Sequence, residues 1–399
     1  MKPSKSIMCA LALSSAMLHE GAAADEGDAL NFSVSQSIRY ESNLFRLDDG
    51  ERAPENKAHD TVSETGVGMK FDRRYGRQRF LADLNLVSAR YAIHNDLDHD
   101  RPDAGLAWDW QLGDRWSGEL GHAYRETLTP FDEAGGTERN MNAYTRSHVS
   151  ADFWWHPRWA VGAGFAHARS RFDRDDADLA EFDADTVDLN LTYRPPTGNR
   201  AVLTLRDTDG EYVNRPAAPG SIRDYRQQEV RLGGEWRLSG ATRVSGFIGR
   251  TRVEYRLAPE RDFRGTVGRV GLVWDTTAKT SVDLSVRREI GAQQDLAANY
   301  AVTEAVRLAP KWNVTEKVSL GAGLEWRRRD YRGDPELVRT GGTREKPTDS
   351  SYRYGLHAEY RPQRALSFAF SVQRQERDGS RSLGGYSANT ADLSMRFRF

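Results

Sequence analysis

The sequence is poor in cysteine, has no surplus of charge of one sign, and has no apolar run of 18 residues after its N-terminal segment. Cys9 is the only cysteine and falls in a predicted signal peptide, so the mature chain would have no thiol to pair, ligate a metal or act as a nucleophile. The 57 basic and 58 acidic residues offer no net field for nucleic acid. We therefore expect no nucleic-acid partner and no membrane-spanning helix.

The N-terminal segment has the pattern of a secretory signal. Lys2 and Lys5 precede the apolar run 7–13, and the small residues 22–24 precede Asp25. This order predicts a signal peptide over 1–24, with a single domain over 25–399.

The composition is unusual for a soluble chain. Only 38% of residues are hydrophobic and 29% are charged, and the mean hydropathy is −0.71. Aromatics nevertheless make up 10%, including ten tryptophans, which disordered chains avoid. A barrel with a polar interior resolves the conflict, because it needs apolar residues only at alternate positions of its lipid-facing band.

Apolar residues alternate with polar ones along almost the whole chain. This period of two is typical of strands that face lipid on one side and water on the other. The first and last strands show it most cleanly, with apolar side chains at Leu30, Phe32, Val34, Ile38, Tyr40, Leu393, Met395, Phe397 and Phe399. The pattern predicts 18 strands joined by eight short turns and nine mostly longer loops, in an all-β transmembrane antiparallel barrel with both termini periplasmic. The facing of the strand Val244–Tyr255 is ambiguous.

Aromatic and proline residues support this topology. Aromatic residues flank the short turns, as a periplasmic girdle would, at Trp110, Trp116, Trp155, Trp159, Tyr193, Trp274, Trp312 and Tyr360. Prolines are predicted to lie in the turns at Pro157, Pro195, Pro196, Pro310 and Pro362, where no ladder donor is lost. A soluble sandwich also allows alternation, but it does not explain tryptophans at strand ends of one polarity.

Candidate chemistry is sparse. The segment 94–100 and the acidic stretch 173–185 contain metal-ligand types, but both are better explained as solvated loops. His122, His148 and His167 lie on strands without a nucleophile motif. We therefore predict no catalytic residue, no metal site and no cofactor, and a protein that is not an enzyme.

The face opposite the apolar one is rich in arginine. Guanidinium groups pair with carboxylates and pack on sugar rings, so such a lining suits an acidic or hydroxyl-rich solute. Equally, these arginines could pair with lumen Asp and Glu and hold the barrel open or plug it. The candidate substrate-binding residues are Arg206, Arg231, Arg287, Arg307, Arg327 and Arg353.

The element 40–47 at the end of the first strand, Tyr-Glu-Ser-Asn-Leu-Phe-Arg-Leu, resembles one known family. It is similar to the EpsL-type outer-membrane barrel proteins of exosortase-associated exopolysaccharide operons, in which Asp is usual where this chain has Glu41. The resemblance implies a channel for secreted polysaccharide and carries over no catalytic residue. From the residues themselves, Asn43 and Arg46 are predicted to cap the first strand at the outer rim.

The leading functional hypothesis is export of an exopolysaccharide through the outer membrane of a Gram-negative bacterium. The expected partners are the exopolysaccharide, outer-membrane lipid, the barrel assembly machinery and polysaccharide secretion components. The alternatives are a closed structural or glycan-binding surface barrel, and a general diffusion porin.

Overall fold

The computed structural model describes residues 29–48, 51, 53–134, 136–292, 300–332, 348–379 and 384–399. The predicted signal peptide 1–24 lies outside the described residues and stays a prediction. Within these ranges the chain forms 18 strands, one four-residue helix and four 3₁₀ turns. None of the helices among the described residues is long and apolar enough to cross a membrane.

The strands follow one another in chain order. The first nine are β1 (Leu30–Glu41), β2 (Asp60–Tyr75), β3 (Gln78–Tyr91), β4 (His99–Leu112), β5 (Trp116–Leu128), β6 (Met141–His156), β7 (Trp159–Phe172), β8 (Phe182–Tyr193) and β9 (Arg200–Tyr212). The second nine are β10 (Asp224–Arg237), β11 (Thr242–Tyr255), β12 (Phe263–Asp275), β13 (Thr280–Ala292), β14 (Tyr300–Asn313), β15 (Val318–Arg332), β16 (Thr348–Gln363), β17 (Leu366–Gly379) and β18 (Tyr386–Arg398). Helix α1 (Phe131–Ala134) lies between β5 and β6, and the 3₁₀ turns are Pro54–Asn56, Asn95–Leu97, Asp175–Ala180 and Pro259–Arg261.

Every strand pairs antiparallel with its neighbours in sequence, and the sheet closes on itself. The closing ladder joins β1 to β18, from Ser33 opposite Arg398 to Glu41 opposite Thr390. Closure removes both sheet edges, so every strand has a partner on each side. The predicted 18-stranded antiparallel barrel is therefore confirmed, while the periplasmic location of the termini stays a prediction.

The two ends of the barrel differ in their connections. Eight turns of two to six residues link strand pairs at one end, and nine connections of six to 18 residues lie at the other, which we call the loop end. The predicted division into eight short turns and nine mostly longer loops is therefore confirmed. Because the number of strands is even, Leu30 and Arg398 lie at the end with the short turns.

The outer face of the barrel exposes large apolar side chains. Leu232, for example, is 58% exposed and Leu189 is 53% exposed. Near the short turns this face carries packed aromatic rings, including Trp159 and Tyr193, whose centroids lie 4.6 Å apart. In β11, Ile248 lies opposite outward-facing Leu232, which settles the facing of this strand. An apolar belt with an aromatic rim is the surface that a lipid bilayer requires.

The predicted proline positions are right at Pro157, Pro195 and Pro196 but wrong at Pro310 and Pro362. Pro310 lies inside β14, where the β14–β15 ladder has no paired residues between Leu308 and Lys311. Pro362 is the penultimate residue of β16, beside a register shift between Tyr360 and Gln363. Both irregularities provide a place for a residue that has no N–H to donate.

Candidate functional site: the barrel lumen

The inner face consists of the strand positions that alternate with the exposed apolar residues. Register places all six candidate arginines on it: Arg206 lies opposite Glu229, and Arg327 opposite Ser351. Each of the other four alternates with an outward residue of its own strand, as Arg231 does with Leu232. The predicted inward facing is confirmed, whereas a role in binding stays a proposal.

Two of these arginines are held by carboxylates on the same wall. Arg206 donates two hydrogen bonds to Asp188, from Nε at 2.6 Å and from Nη2 at 2.9 Å. Arg231 pairs with Glu229, whose side chain is 1% exposed, and its guanidinium lies 4.7 Å from the centre of the Phe247 ring. These bidentate pairs orient the guanidinium planes and leave them fewer donors for a solute.

The other candidates are less firmly paired. Arg287 lies 3.8 Å from Glu325, and Arg353 donates a 3.4 Å hydrogen bond to Gln375. The buried Nε atoms of Arg287 and Arg353 have no acceptor among the described residues. Arg307 is exposed and has no ion pair with a described residue. The inner face of β13–β16 therefore has arginine N–H groups that are bound to no acceptor among the described residues.

A cavity with a volume of about 990 Å³ lies on the inner face of β1–β5 and β18. Most of its lining residues are polar and they carry both signs of charge, and a few apolar residues such as Val67 and Met69 lie among them. The lining residues include Ser33, Ser35, Lys70, Asp83, Asn85, Arg101, Asp103, Arg125, Arg396 and Arg398. Such a surface suits hydrated, hydrophilic solutes.

Connections at the loop end form an apolar cluster that we call the mouth cluster. It consists of Leu44, Phe45, Val62, Ala89, Tyr91, Leu97 and Phe131. The Phe45 ring packs edge-on against Phe131 at 5.0 Å and against His94 at 4.8 Å between centroids. The first three connections at the loop end are therefore packed together, and this packing fixes the position of α1.

The element that resembles the EpsL-type family builds part of this cluster. The Asn43 side chain donates to the Leu47 carbonyl at 2.9 Å and accepts from the Leu47 amide at 3.0 Å. Arg46 adopts φ 59° and pairs with Glu41 at 2.9 Å. The structural role predicted for Asn43 and Arg46 is confirmed, and the tight turn they make also buries Leu44 and Phe45.

Helix α1 brings Asp132 into contact with two strands that are not neighbours of β5 and β6. Its Oδ2 accepts a 3.0 Å hydrogen bond from the Tyr386 hydroxyl on β18 and lies 4.0 Å from Arg327 Nη2 on β15. In the closed strand order, β15 is eight positions from β5, almost diametrically opposite. The connection between β5 and β6 therefore crosses the lumen rather than projecting into solvent.

A buried carboxylate organises the wall that Asp132 reaches. Asp349 is fully buried and accepts from Arg329 Nε at 3.0 Å, Arg377 Nη2 at 3.2 Å and the Tyr331 hydroxyl at 2.7 Å. These residues, like Asp132 and Tyr386, were missed by sequence reasoning. For these residues the sequence offers one signal, which is that the alternation along their strands assigns Arg329 and Arg377 to the inner face.

A second aromatic group lies on the inner face at the ends of β8–β11. The rings of Phe182, Tyr212, Tyr225 and Tyr255 follow one another at centroid spacings of 6.4, 5.7 and 6.4 Å. Arg215, from the connection after β9, lies 4.1 Å from the centre of the Tyr212 ring, and burial lowers its pKa. Tyr212 and Tyr255 are buried, so these rings do not form an open stacking surface.

The segment predicted as a solvated loop at 94–100 is instead packed. Leu97 is fully buried, and His94 and His99 are also buried. The prediction is wrong because the alternating His and Asp residues suggest exposure to solvent, whereas Leu97 among them is buried within a 3₁₀ turn. No group of three or more His, Asp or Glu among the described residues is placed to hold a metal ion.

The acidic stretch 173–185 is engaged in local pairs. Asp183 lies 2.7 Å from Arg171 and 3.2 Å from Arg169, and Asp185 lies 2.8 Å from His167. These pairs give its carboxylates structural partners on β7.

Residues 204–399 match the family model described as "Putative beta-barrel porin 2". The match runs from within β9 to the C-terminal residue. No curated protein matches the sequence.

Solved structures match over nearly the whole chain. OccK2 (OpdF) of Pseudomonas aeruginosa is 12% identical with a TM-score of 0.51, and the match covers 93% of this chain and 98% of that one. OccK9 (OpdG) of the same organism is 11% identical, with a TM-score of 0.50 and the same coverage. OccK2 in complex with glucuronate is 13% identical, also with a TM-score of 0.50 and the same coverage.

The barrel has the fold of outer-membrane porins. At these identities the similarity extends to the fold alone. The predicted β-barrel porin is thus confirmed at the level of architecture, and the link to exosortase-associated operons stays a prediction.

Proposed function

We propose that this protein is an outer-membrane channel through which small hydrophilic solutes, preferentially anions, diffuse without covalent chemistry. The observation that carries the proposal is the inner face of β13–β16. There Arg307 has no ion pair with a described residue, and Arg287 and Arg353 keep buried donors without acceptors. Guanidinium groups that are only weakly paired with carboxylates raise the local concentration of anions in a narrow lumen.

The polar cavity and the porin fold support the same proposal. The cavity of about 990 Å³ is large enough for a monosaccharide or a small organic acid. One structure with this fold is OccK2 in complex with glucuronate, a small anionic sugar. We therefore choose glucuronate as the first solute to test.

The test is electrical. Purified protein in a planar bilayer should give stepwise ionic current with a reversal potential that favours anions. Charge reversal at Arg287→Glu and Arg307→Glu should shift the selectivity towards cations. The matched control is Arg250→Glu, which reverses a charge on the outer face of β11, opposite outward-facing Val230. Absence of current, or an equal shift with the control, would contradict the proposal.

Exopolysaccharide export is the second candidate, and the resemblance at Glu41–Leu47 is what favours it. In the structure Leu44 and Phe45 of this element belong to the mouth cluster, so a polymer would pass only if the connections at the loop end moved apart. We therefore rank export below diffusion of small solutes. The partners proposed with export are the exopolysaccharide and polysaccharide secretion components.

A deletion strain separates the candidates. Export predicts loss of secreted polysaccharide, and complementation with Arg231→Glu or Arg287→Glu should restore barrel abundance but not secretion. Diffusion of small solutes predicts normal polysaccharide and slower uptake of glucuronate. If both secretion and uptake are normal and the purified protein carries no current, a closed glycan-binding barrel is the better explanation.

A further inference from the structure

We propose that the wall formed by β15–β18 carries a binding site for a carboxylate, and that Asp132 occupies it as an internal ligand that small carboxylate solutes displace. This inference rests on the proposed channel function and names the solute class and the site at which the channel selects it. The site consists of Tyr386 and Arg327, with Arg329 and Arg377 beside them.

The position of Asp132 is set by the mouth cluster, and its partners belong to strands β18 and β15, which are distant in sequence from its own loop. Phe131, the preceding residue, is anchored in the mouth cluster against Phe45. The Asp132 carboxylate then reaches Tyr386, 254 residues away in sequence, and its side chain is only 12% exposed there. The acidic side chain is bound in the manner of a ligand, because its partners Tyr386 and Arg327 belong to strands of the barrel wall and not to its own loop.

The Tyr386 hydroxyl is positioned to donate a hydrogen bond to Asp132. The Gln375 amide donates a 2.6 Å hydrogen bond to it, and the hydroxyl proton is directed to Asp132. A hydroxyl that accepts one hydrogen bond becomes a stronger donor of the next. The site therefore favours an ionised oxygen over a neutral one.

The charge of the wall exceeds what its own residues neutralise. Near Asp132 the inward arginines of this wall are Arg327, Arg329, Arg353 and Arg377, and its inward carboxylates are Asp349, in contact with two of them, and Glu325, which lies opposite Arg353 and 3.8 Å from Arg287 on β13. Arg329 Nη2 and Arg377 Nε are buried N–H groups without an acceptor among the described residues, on side chains 8% and 7% exposed. Such donors are costly to leave unpaired. Asp132 accepts from neither of these groups, so they remain as unpaired donors beside the site.

Asp132 and a solute carboxylate cannot both accept the hydrogen bond of the Tyr386 hydroxyl and form the ion pair with Arg327. A solute with one carboxylate would replace Asp132 one for one, leaving the local charge unchanged. A neutral sugar of the same size offers only hydroxyl groups, which would leave the guanidinium charge uncompensated. Competition therefore makes the site selective for small carboxylates.

The test measures binding directly, by titrating galacturonate into the purified, detergent-solubilised barrel in a calorimeter. Asp132→Ala should bind galacturonate at least ten-fold more tightly than wild type, because the internal competitor is gone. Galactose, which lacks the carboxylate, should bind no more tightly to the variant. Adding Arg327→Gln to Asp132→Ala should abolish the gain.

The matched control is Glu138→Gln, which removes a carboxylate of the same loop that pairs with Arg174 on an exposed surface, at 3.1 Å. It should behave as wild type. Asp132→Asn serves as a second variant should Asp132→Ala lose the heat-modifiable mobility of a folded barrel.

The outcomes distinguish this inference from the channel proposal. Equal galacturonate affinity in wild type, Asp132→Ala and Asp132→Asn overturns the internal-ligand site even if the protein conducts ions. A ten-fold gain in affinity supports the site even if no current is found, in which case only the channel function fails.

Discussion

Phe399 and Phe32 exchange two backbone hydrogen bonds across the seam of the barrel, Phe32 N to Phe399 O at 2.9 Å and Phe399 N to Phe32 O at 3.0 Å. Their rings also stack, with centroids 5.9 Å apart. One residue thus completes the β1–β18 ladder and extends the aromatic rim. A charged side chain at position 399 would disturb both the end of the backbone ladder and the packing of the aromatic rim.

We expect Phe399→Asp to lower the amount of barrel in the outer membrane sharply without changing synthesis of the chain. Phe399→Tyr, which keeps the ring, should remain near the wild-type level. Immunoblots of outer-membrane fractions measure this. Wild-type abundance of the Asp variant would show that the seam tolerates loss of its last aromatic residue.

The closed ladder predicts slow unfolding in detergent. Unboiled protein should migrate faster on an SDS gel than boiled protein, because all 18 strands must separate before the chain binds detergent fully. Mobility that is independent of heating, with the protein recovered in the periplasm, would be incompatible with the barrel.

Substitutions on the two faces should differ in cost. Leu284→Arg or Leu232→Arg places a guanidinium on the lipid face and should destabilise the barrel by about 2 to 4 kcal/mol near the membrane midplane. Ser285→Arg, one residue along β13 on the inner face, lies opposite Gly271 and Arg307 and should cost about 1 kcal/mol or less from the like charge. Urea titrations in lipid vesicles compare the two, and equal costs would contradict the assignment of faces.

The buried carboxylate on the β15–β17 wall should be important for stability. Asp349→Asn leaves the buried guanidinium groups of Arg329 and Arg377 without their countercharge, which typically costs about 3 to 5 kcal/mol. Glu359→Gln is the control, since its partner Arg361 is 60% exposed and such pairs contribute about 1 kcal/mol or less. The same urea titrations apply, and a variant as stable as the control would mean that water replaces the carboxylate.

The mouth cluster should control pore width. Phe45→Ala removes the ring that holds α1 through Phe131, so we expect higher single-channel conductance and a stability loss of about 3 kcal/mol. Conductance unchanged from wild type, in a variant that still folds, would place the narrowest point of the lumen elsewhere.

Strand number, the division into short turns and longer loops, and the inward facing of the arginines were predictable because each depends on alternation along a single strand. A period of two assigns a residue to the lipid-facing or the lumen-facing side without knowledge of the adjacent strands. Pro310 was misplaced because a proline usually marks a turn, and only the register shows the gap between Leu308 and Lys311 that accommodates it.

The inward path of the β5–β6 connection could not be predicted in this way. Its partners Arg327 and Tyr386 are distant in sequence, and Phe131 and Asp132 stand in a short stretch between Pro130 and Gly136 that reads as an ordinary polar loop. The burial of Leu97 was missed for the same reason, because its contacts come from other connections.

The contact of Asp132 with Tyr386 and Arg327 also sets an order of events during biogenesis. Tyr386 and Arg327 lie on β18 and β15, so the loop between β5 and β6 finds its partners only after these strands have joined the sheet. The contact of Asp132 with these residues therefore forms only when β15 and β18 are in place. In an intermediate that lacks these strands, the loop must adopt a different position.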